Sequence, residues 1–268
     1  MKHLTKLFLG ILIIALASAW SQPPNKPTSK EVLEDFFNAS GGVEKWKNMK
    51  TLQVGGSYEE DGESATFYSH YSHIDARMRY ESDEGFITIV SLSEEWVKVS
   101  GKDWQDWGKI VKVTNRSFYN ALLMNLKNAV HSMAFLIRIY SDRPQVLELA
   151  ENPIADNNDI ALILVPDEEM DKHKKQKRTY YFLFDPSTKL LNKTVQVDDV
   201  GDITKIINHS DYREVDGFTI SHGQEVIAMK TTHASLGLSG TLKGATTTYT
   251  YTSFKFNEEI DPKVFVAE

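Results

Sequence analysis

The sequence predicts an α+β fold dominated by one antiparallel sheet of about a dozen strands, with few helices. Three observations predict it. From Thr51 onward, short apolar runs follow one another with turn signals between them. Helical periodicity is confined to residues 28–49 and to Arg116–Tyr140. No composition shift or repeat of fixed period divides the chain after residue 29. A content of 41% hydrophobic and 25% charged residues in 268 is enough for a buried core.

The first residues read as an export leader. Lys2 and Lys6 precede an eleven-residue apolar run, Leu7–Ala17. Ala17-Ser18-Ala19 then fits the small-x-small cleavage rule, and Ala19-Trp20-Ser21 offers a second site. A membrane-spanning helix needs about 20 apolar residues, so this run is too short to be an anchor. The expectation is a signal peptide over 1–19, with cleavage after 21 as the alternative. The chain has no cysteine, which excludes disulfides, thiolate metal sites, a cysteine nucleophile and a lipid anchor on an N-terminal cysteine. A net charge of −7, more negative once Lys2 and Lys6 are removed, argues against nucleic acid as a partner.

Residues 22–28 carry three prolines and read as a linker. A helix starts at Thr28 or Ser29, where Glu31 gives a capping-box spacing. Val32, Leu33, Phe36 and Phe37 make its apolar stripe, and Gly41 and Gly42 end it. A short second helix places Val43, Trp46 and Met49 on one side.

Strands are then expected at Thr51–Tyr58, Glu63–Ser72, Ile74–Glu81, Phe86–Leu92 and Trp96–Ser100. Asp61-Gly62 marks the first hairpin, because both residues tolerate positive φ. Arg116–Tyr140 interrupts the series: Phe118, Leu122, Leu126, Val130, Met133 and Ile137 recur every three or four residues, and Pro144 stops the helix. Strands resume at Ile160–Val165, Arg178–Phe184, Lys189–Asp198, Asp202–Tyr212, Phe218–Met229 and Ala245–Phe256, with turns at Asp185-Pro186-Ser187 and Asp216-Gly217. Sequential strands joined by short turns form a meander, and a sheet this large must curl. Simple alternation in the last strand puts Tyr249 and Tyr251 on one face and Phe254 and Phe256 on the other.

Three stretches carry a family resemblance. Asn38-Ala39-Ser40-Gly41-Gly42-Val43-Glu44-Lys45-Trp46, followed by Met49-Lys50-Thr51-Leu52, is similar to the opening of the outer-membrane lipoprotein-sorting (LolA-like) family. Tyr181-Phe182-Leu183-Phe184-Asp185-Pro186-Ser187-Thr188-Lys189-Leu190-Leu191 resembles its central hairpin. Ser210-Asp211-Tyr212-Arg213-Glu214-Val215-Asp216-Gly217-Phe218 resembles its strand-turn-strand near the C-terminus. The resemblance implies a strongly curved sheet forming a half-open barrel around a few helices, over 29–268 as a single lipid-binding-like domain. It implies an apolar cavity for acyl chains, with no catalysis and no cofactor. The arginine on which the lipoprotein carriers rely has no match here. The implied partner is therefore a lipid, a lipidated protein or another amphiphile; the charge blocks at 167–178 add an envelope protein or a membrane surface as a further expected partner. With the leader removed and no cysteine to carry a lipid, the expected location is the periplasm, or outside the cell.

Within that frame the Arg116–Tyr140 helix is the candidate lid. Phe118, Leu122, Met124, Leu126, Val130 and Met133 are candidate lining residues, with Met124 and Met133 able to repack around varied shapes. Trp96 and Trp104 join them; Trp104 and Trp107 fall in an expected loop, where large aromatics need a packing or ligand role. Ordinary core packing is the simpler role for Met124, Met133, Trp96, Trp104 and Trp107.

Signals for chemistry are weaker. Glu59, Glu60, Asp61 and Glu63 surround a turn and read as a solvated tip rather than a glycosidase pair. Asp167–Asp171 and Lys172–Arg178 form opposed charge blocks, as an exposed loop or a docking surface would. His70 and His73 are an odd spacing apart on a strand and should not share a metal; His209, His222 and His233 are isolated. Gly237-Leu238-Ser239-Gly240 lacks the spacing of a nucleophile elbow, and no phosphate-binding loop is present. The expectation is a non-enzymatic carrier or binding protein without metal or cofactor. An envelope protein-interaction module without a ligand is the alternative, and a hydrolase using paired carboxylates the third.

Overall fold

The computed structural model describes residues 27–72, 77–85, 87–91, 96–100, 111–112, 136–137, 140, 147–154, 157–165, 179–198, 200–231 and 241–266. Two helices open it, α1 (Ser29–Ala39) and α2 (Val43–Lys47). Thirteen strands among the described residues follow: β1 (Thr51–Glu60), β2 (Glu63–Ser72), β3 (Arg77–Ser82), β4 (Ile87–Ser91), β5 (Trp96–Ser100), β6 (Val111–Lys112), β7 (Leu147–Ala150), β8 (Ile160–Leu164), β9 (Thr179–Phe184), β10 (Leu191–Val197), β11 (Ile203–Val215), β12 (Phe218–Thr231) and β13 (Thr241–Phe256). All lie in one antiparallel sheet of order β6-β5-β4-β3-β2-β1-β13-β12-β11-β10-β9-β8-β7. The sheet is therefore two meanders joined where the first strand pairs with the last. Among the described residues the sheet ends on β6 at one side and on β7 at the other.

The expected strand series is largely what forms. β6 and β7 add to it; at two and four residues they are too short to show alternation. Asp61 and Gly62 have φ of 53° and 84°, and Asp216 and Gly217 have 51° and 71°. Both pairs are two-residue hairpin turns with positive φ at each position, the geometry that matches strand twist.

The helix signals also hold. Thr28 and Glu31 form the reciprocal capping box, with Glu31 N–H donating to Thr28 Oγ1 at 3.2 Å and Thr28 N–H to Glu31 Oε2 at 2.7 Å. At the other end the Gly42 N–H reaches back to the Phe37 carbonyl at 2.7 Å. Gly41 sits at φ 123°, and a β-carbon there would lie 2.5 Å from the Gly217 carbonyl oxygen, so only glycine fits. This contact, with Thr219 N–H donating to the Ser40 carbonyl at 3.0 Å, pins the α1–α2 corner onto the β11–β12 turn.

Val32, Leu33, Phe36 and Phe37 are buried against the sheet. Phe36 meets Phe184 at 5.3 Å between ring centres, and Trp46 meets Phe218 edge-on at 4.8 Å. The core continues across Leu52, Phe67, Tyr71, Met78, Leu162, Phe182, Ile207, Ile220 and Tyr251. A smaller cluster of Ala161, Leu183, Val195 and Val197 lies on the other face. Of the expected long helix, residues 136, 137 and 140 are described, and all are helical. Leu136 and Ile137 are in the main core. Tyr140 packs on Phe37 at 5.5 Å and donates to Glu34 at 2.9 Å.

One expectation is overturned. The register between β1 and β13 shifts between Gly55 and Gly56, because Ser253 faces Gly55 while Tyr251 faces Gly56. Thr252 is the extra residue of a β-bulge, and it resets the alternation of β13. Tyr249 and Tyr251 thus share one face with Phe254 and Phe256 instead of opposing them. The rings bear this out: Tyr251 contacts Phe254 at 5.9 Å and Phe67 at 5.7 Å, and Phe256 stacks on Phe218 at 4.0 Å.

Candidate ligand-binding face

The face that carries α1 and α2 is built in transverse rows, since residues facing each other across neighbouring strands point the same way. One row is apolar at the helix end: Phe256, Leu52, Tyr71 and Met78 on β13, β1, β2 and β3. Farther along, Tyr251, Gly56 and Phe67 form another. A polar row follows, His209–Gln224–Tyr249–Tyr58–Ala65, crossing β11, β12, β13, β1 and β2. Beyond it lies Thr194–Ile207–Val226–Thr247.

Gly56 makes this arrangement possible. Its missing side chain leaves the space that the Phe67 ring occupies, and that ring then contacts Tyr80, Tyr249 and Tyr251 at 5.7, 6.0 and 5.7 Å. Tyr58 and Tyr249 lie 5.7 Å apart. Tyr58 donates to Glu84. Burial raises the hydroxyls of Tyr58 and Tyr80 well above the ordinary tyrosine value, and burial with the Glu60 charge pushes Tyr249 up to about 12. These hydroxyls stay neutral.

His209 and Gln224 are 5% and 1% exposed, which leaves essentially no water to satisfy them. Thr194 Oγ1 lies 3.1 Å from His209 Nε2, and Tyr251 donates to Gln224 Oε1 at 2.6 Å. His209 Nδ1 and Gln224 Nε2 have no hydrogen-bond partner. Burial, helped by the Lys193 charge, lowers the His209 imidazole to about 3, so the ring is neutral near pH 7. The unfolded chain takes up a proton near pH 6.5 that the folded chain refuses until about pH 3. Stability is therefore complete above pH 6.5 and is lost as pH falls towards 3. The slope from this group approaches about 1.4 kcal/mol per pH unit. Urea unfolding between pH 7 and 4.5 should show this decline, and His209→Asn should flatten it; an equal decline in both proteins would assign it to other groups.

The row joins neutral hydroxyls, an amide and a neutral imidazole to aromatic surface, and contains no pair of carboxylates. Among the described residues no group of three or more His, Asp or Glu could hold a metal ion. His70 lies on the opposite face, since its neighbours Phe67, Ser69 and Tyr71 alternate inward. Of the residues expected from sequence to line a site, Trp96 opens β5, paired with Ser91 and Lys112. Phe118, Leu122, Met124, Leu126, Val130, Met133 and Trp104 lie outside the described residues. The His209–Gln224 pair was not anticipated, although its signal was present. A two-residue turn at Asp216-Gly217 makes residues equally distant from it face each other, and these two are such a pair.

Among the described residues, one antiparallel sheet with short helices packed on its aromatic face defines the class of fold. Solved structures share this fold. A LolA superfamily protein from Nitrosomonas europaea is similar over 90% of this chain and 98% of its own, with TM-score 0.54 and 11% identity. A DUF1329 family protein from Desulfovibrio piger is similar over 89% and 95%, with TM-score 0.54 and 12% identity. An outer membrane lipoprotein-sorting protein domain from Vibrio parahaemolyticus is similar over 88% and 95%, with TM-score 0.51 and 8% identity. The resemblance read from residues 38–52, 181–191 and 210–218 thus holds at the level of fold. No protein-family model matches the chain. No curated protein matches it either.

Proposed function

We propose that this chain is an exported, non-enzymatic carrier or binding protein that holds an acyl lipid, a lipidated protein or a similar amphiphile in the hollow of a half-open barrel. The observation that carries this reading is the Thr252 bulge, which gathers Tyr249, Tyr251, Phe254 and Phe256 on the helix-bearing face. A bulge beside the Gly55-Gly56 pair is also a means of bending a sheet. Thirteen flat strands at about 4.8 Å spacing would span roughly 58 Å. The eleven residues of α1 extend only about 16 Å, so covering one continuous core with these helices calls for strong curvature.

Burying acyl chain is favourable by about 0.8 kcal/mol per CH₂, so one long chain supplies ample driving force without a charged anchor. The leader over 1–19, or to 21, directs the chain out of the cytoplasm, and residues 22–28 tether the domain that begins at 29. With no cysteine for a lipid anchor, the mature form is free in the periplasm. Denaturing extraction of protein purified from its own cell envelope, followed by mass spectrometry, tests the reading. Near-stoichiometric acyl lipid is the expected result. Lipid-free protein that captures a single envelope partner would replace it with the interaction-module reading.

A further inference from the structure

We propose that His209 and Gln224 form a two-donor subsite for the carbonyl oxygen of an acyl ester lying on the helix-bearing face; this rests on the carrier reading and gives the ligand its linkage chemistry. The two residues are direct cross-strand partners on β11 and β12. Such partners have β-carbons about 5 Å apart, which lets both side chains reach one oxygen. Each has one polar atom already engaged. Thr194 holds His209 Nε2, and Tyr251 holds Gln224 Oε1. The atoms left over, His209 Nδ1 and Gln224 Nε2, are buried without a partner.

The engaged contacts decide the chemistry of what is missing. Tyr251 donates to Gln224 Oε1, which fixes the amide so that its NH₂ is the free end. The subsite takes the tautomer in which Thr194 donates to Nε2 and the neutral imidazole carries its proton on Nδ1. Two donors on neighbouring strands then lack an acceptor. Neither group is charged, so an uncharged oxygen suits them better than a phosphate or carboxylate. The surroundings agree: Tyr249 flanks Gln224 on β13, and Ile207 and Val226 form the next row on the same strands. Hydrocarbon thus finds apolar partners beside the place where an ester carbonyl would be held. Buried donors left unmade are costly, and an acceptor arriving with the ligand recovers that cost only in the bound state.

The test compares two lipids that differ only in linkage, dipalmitoyl phosphatidylglycerol and its dihexadecyl ether counterpart, titrated in the same detergent by intrinsic tryptophan fluorescence. The wild-type protein should bind the diester about tenfold more tightly than the diether. Gln224→Met keeps the volume and removes the donor. It should lower diester affinity to that of the diether, while diether affinity changes by less than about twofold. His209→Phe, checked for folding by circular dichroism, should do the same. Equal binding of both lipids by the wild-type protein, or an ester preference that survives in Gln224→Met, overturns the subsite and leaves the carrier reading standing. Binding of neither lipid overturns both.

Discussion

Gly56→Ala should destabilise the protein by about 3 kcal/mol, whereas Gly55→Ala should change it by no more than about 1 kcal/mol. The two glycines are adjacent in β1 but point to opposite faces. A β-carbon on Gly56 would lie 2.4 Å from the Thr250 carbonyl oxygen and 2.8 Å from the Phe67 ring. The first is backbone in a paired strand, and it cannot withdraw without opening the β1–β13 ladder. The second is a ring fully buried among Tyr80, Tyr249 and Tyr251. A β-carbon on Gly55 instead meets the Ser253 hydroxyl at 2.7 Å and the ring of Tyr68 at 3.2 Å. Tyr68 is 57% exposed, so its ring can swing into solvent. Urea unfolding midpoints of the two variants should differ widely. Equal midpoints would show that the Phe67 ring and the Thr250 carbonyl can give way beside Gly56.

Trp46→Ala should cost about 3–5 kcal/mol, the range for deleting a large aromatic from a packed interior. Trp46 is wholly buried, contacts Phe37 and Phe218, and donates from Nε1 to the Ser40 carbonyl at 3.1 Å and the Ser40 hydroxyl at 3.0 Å. Trp46→Phe retains most of the apolar volume and loses the donor, for about 1–2 kcal/mol. Ser40→Ala leaves the carbonyl acceptor in place and should cost less again. Thermal unfolding followed by circular dichroism would give this ranking. A Trp46→Ala protein as stable as Trp46→Phe would mean that α2 is a peripheral element rather than the clasp between α1 and the β11–β12 turn.

Local chemistry made most of the fold legible. The Thr28–Glu31 capping box, the Asp61-Gly62 and Asp216-Gly217 turns and the apolar stripe of α1 all act within a few residues, and all formed as expected. The face of Phe254 and Phe256 was not legible. A bulge is an irregularity of pairing, and Thr252 bears no mark in its own sequence of being the extra residue. The polar row failed for a different reason. His209 and Gln224 look like isolated polar residues within apolar strands, and their meaning depends on their being opposite each other. The turn that sets their register was visible, but the pairing it dictates had to be followed outwards for seven residues to reach them. The candidate lining residues read from helical periodicity, Phe118 through Met133, stand on a segment outside the described residues, while the described face is made by strands.

The pairing of the first strand with the last has a consequence for how the chain is assembled. Each meander can zip up from its own turns, since its contacts are local. The seam between them, Leu52 opposite Phe256 through Glu60 opposite Thr247, closes a loop comprising most of the domain. Contacts of such sequence separation form late and slowly. Until β13 has emerged and docked, β1 and β12 each present an unsatisfied row of amides and carbonyls in the middle of the future sheet. Those are the edges most apt to pair with another copy. The nascent chain is thus most vulnerable to aggregation before β13 has emerged, and that sixteen-residue strand serves as the closure that ends the exposure.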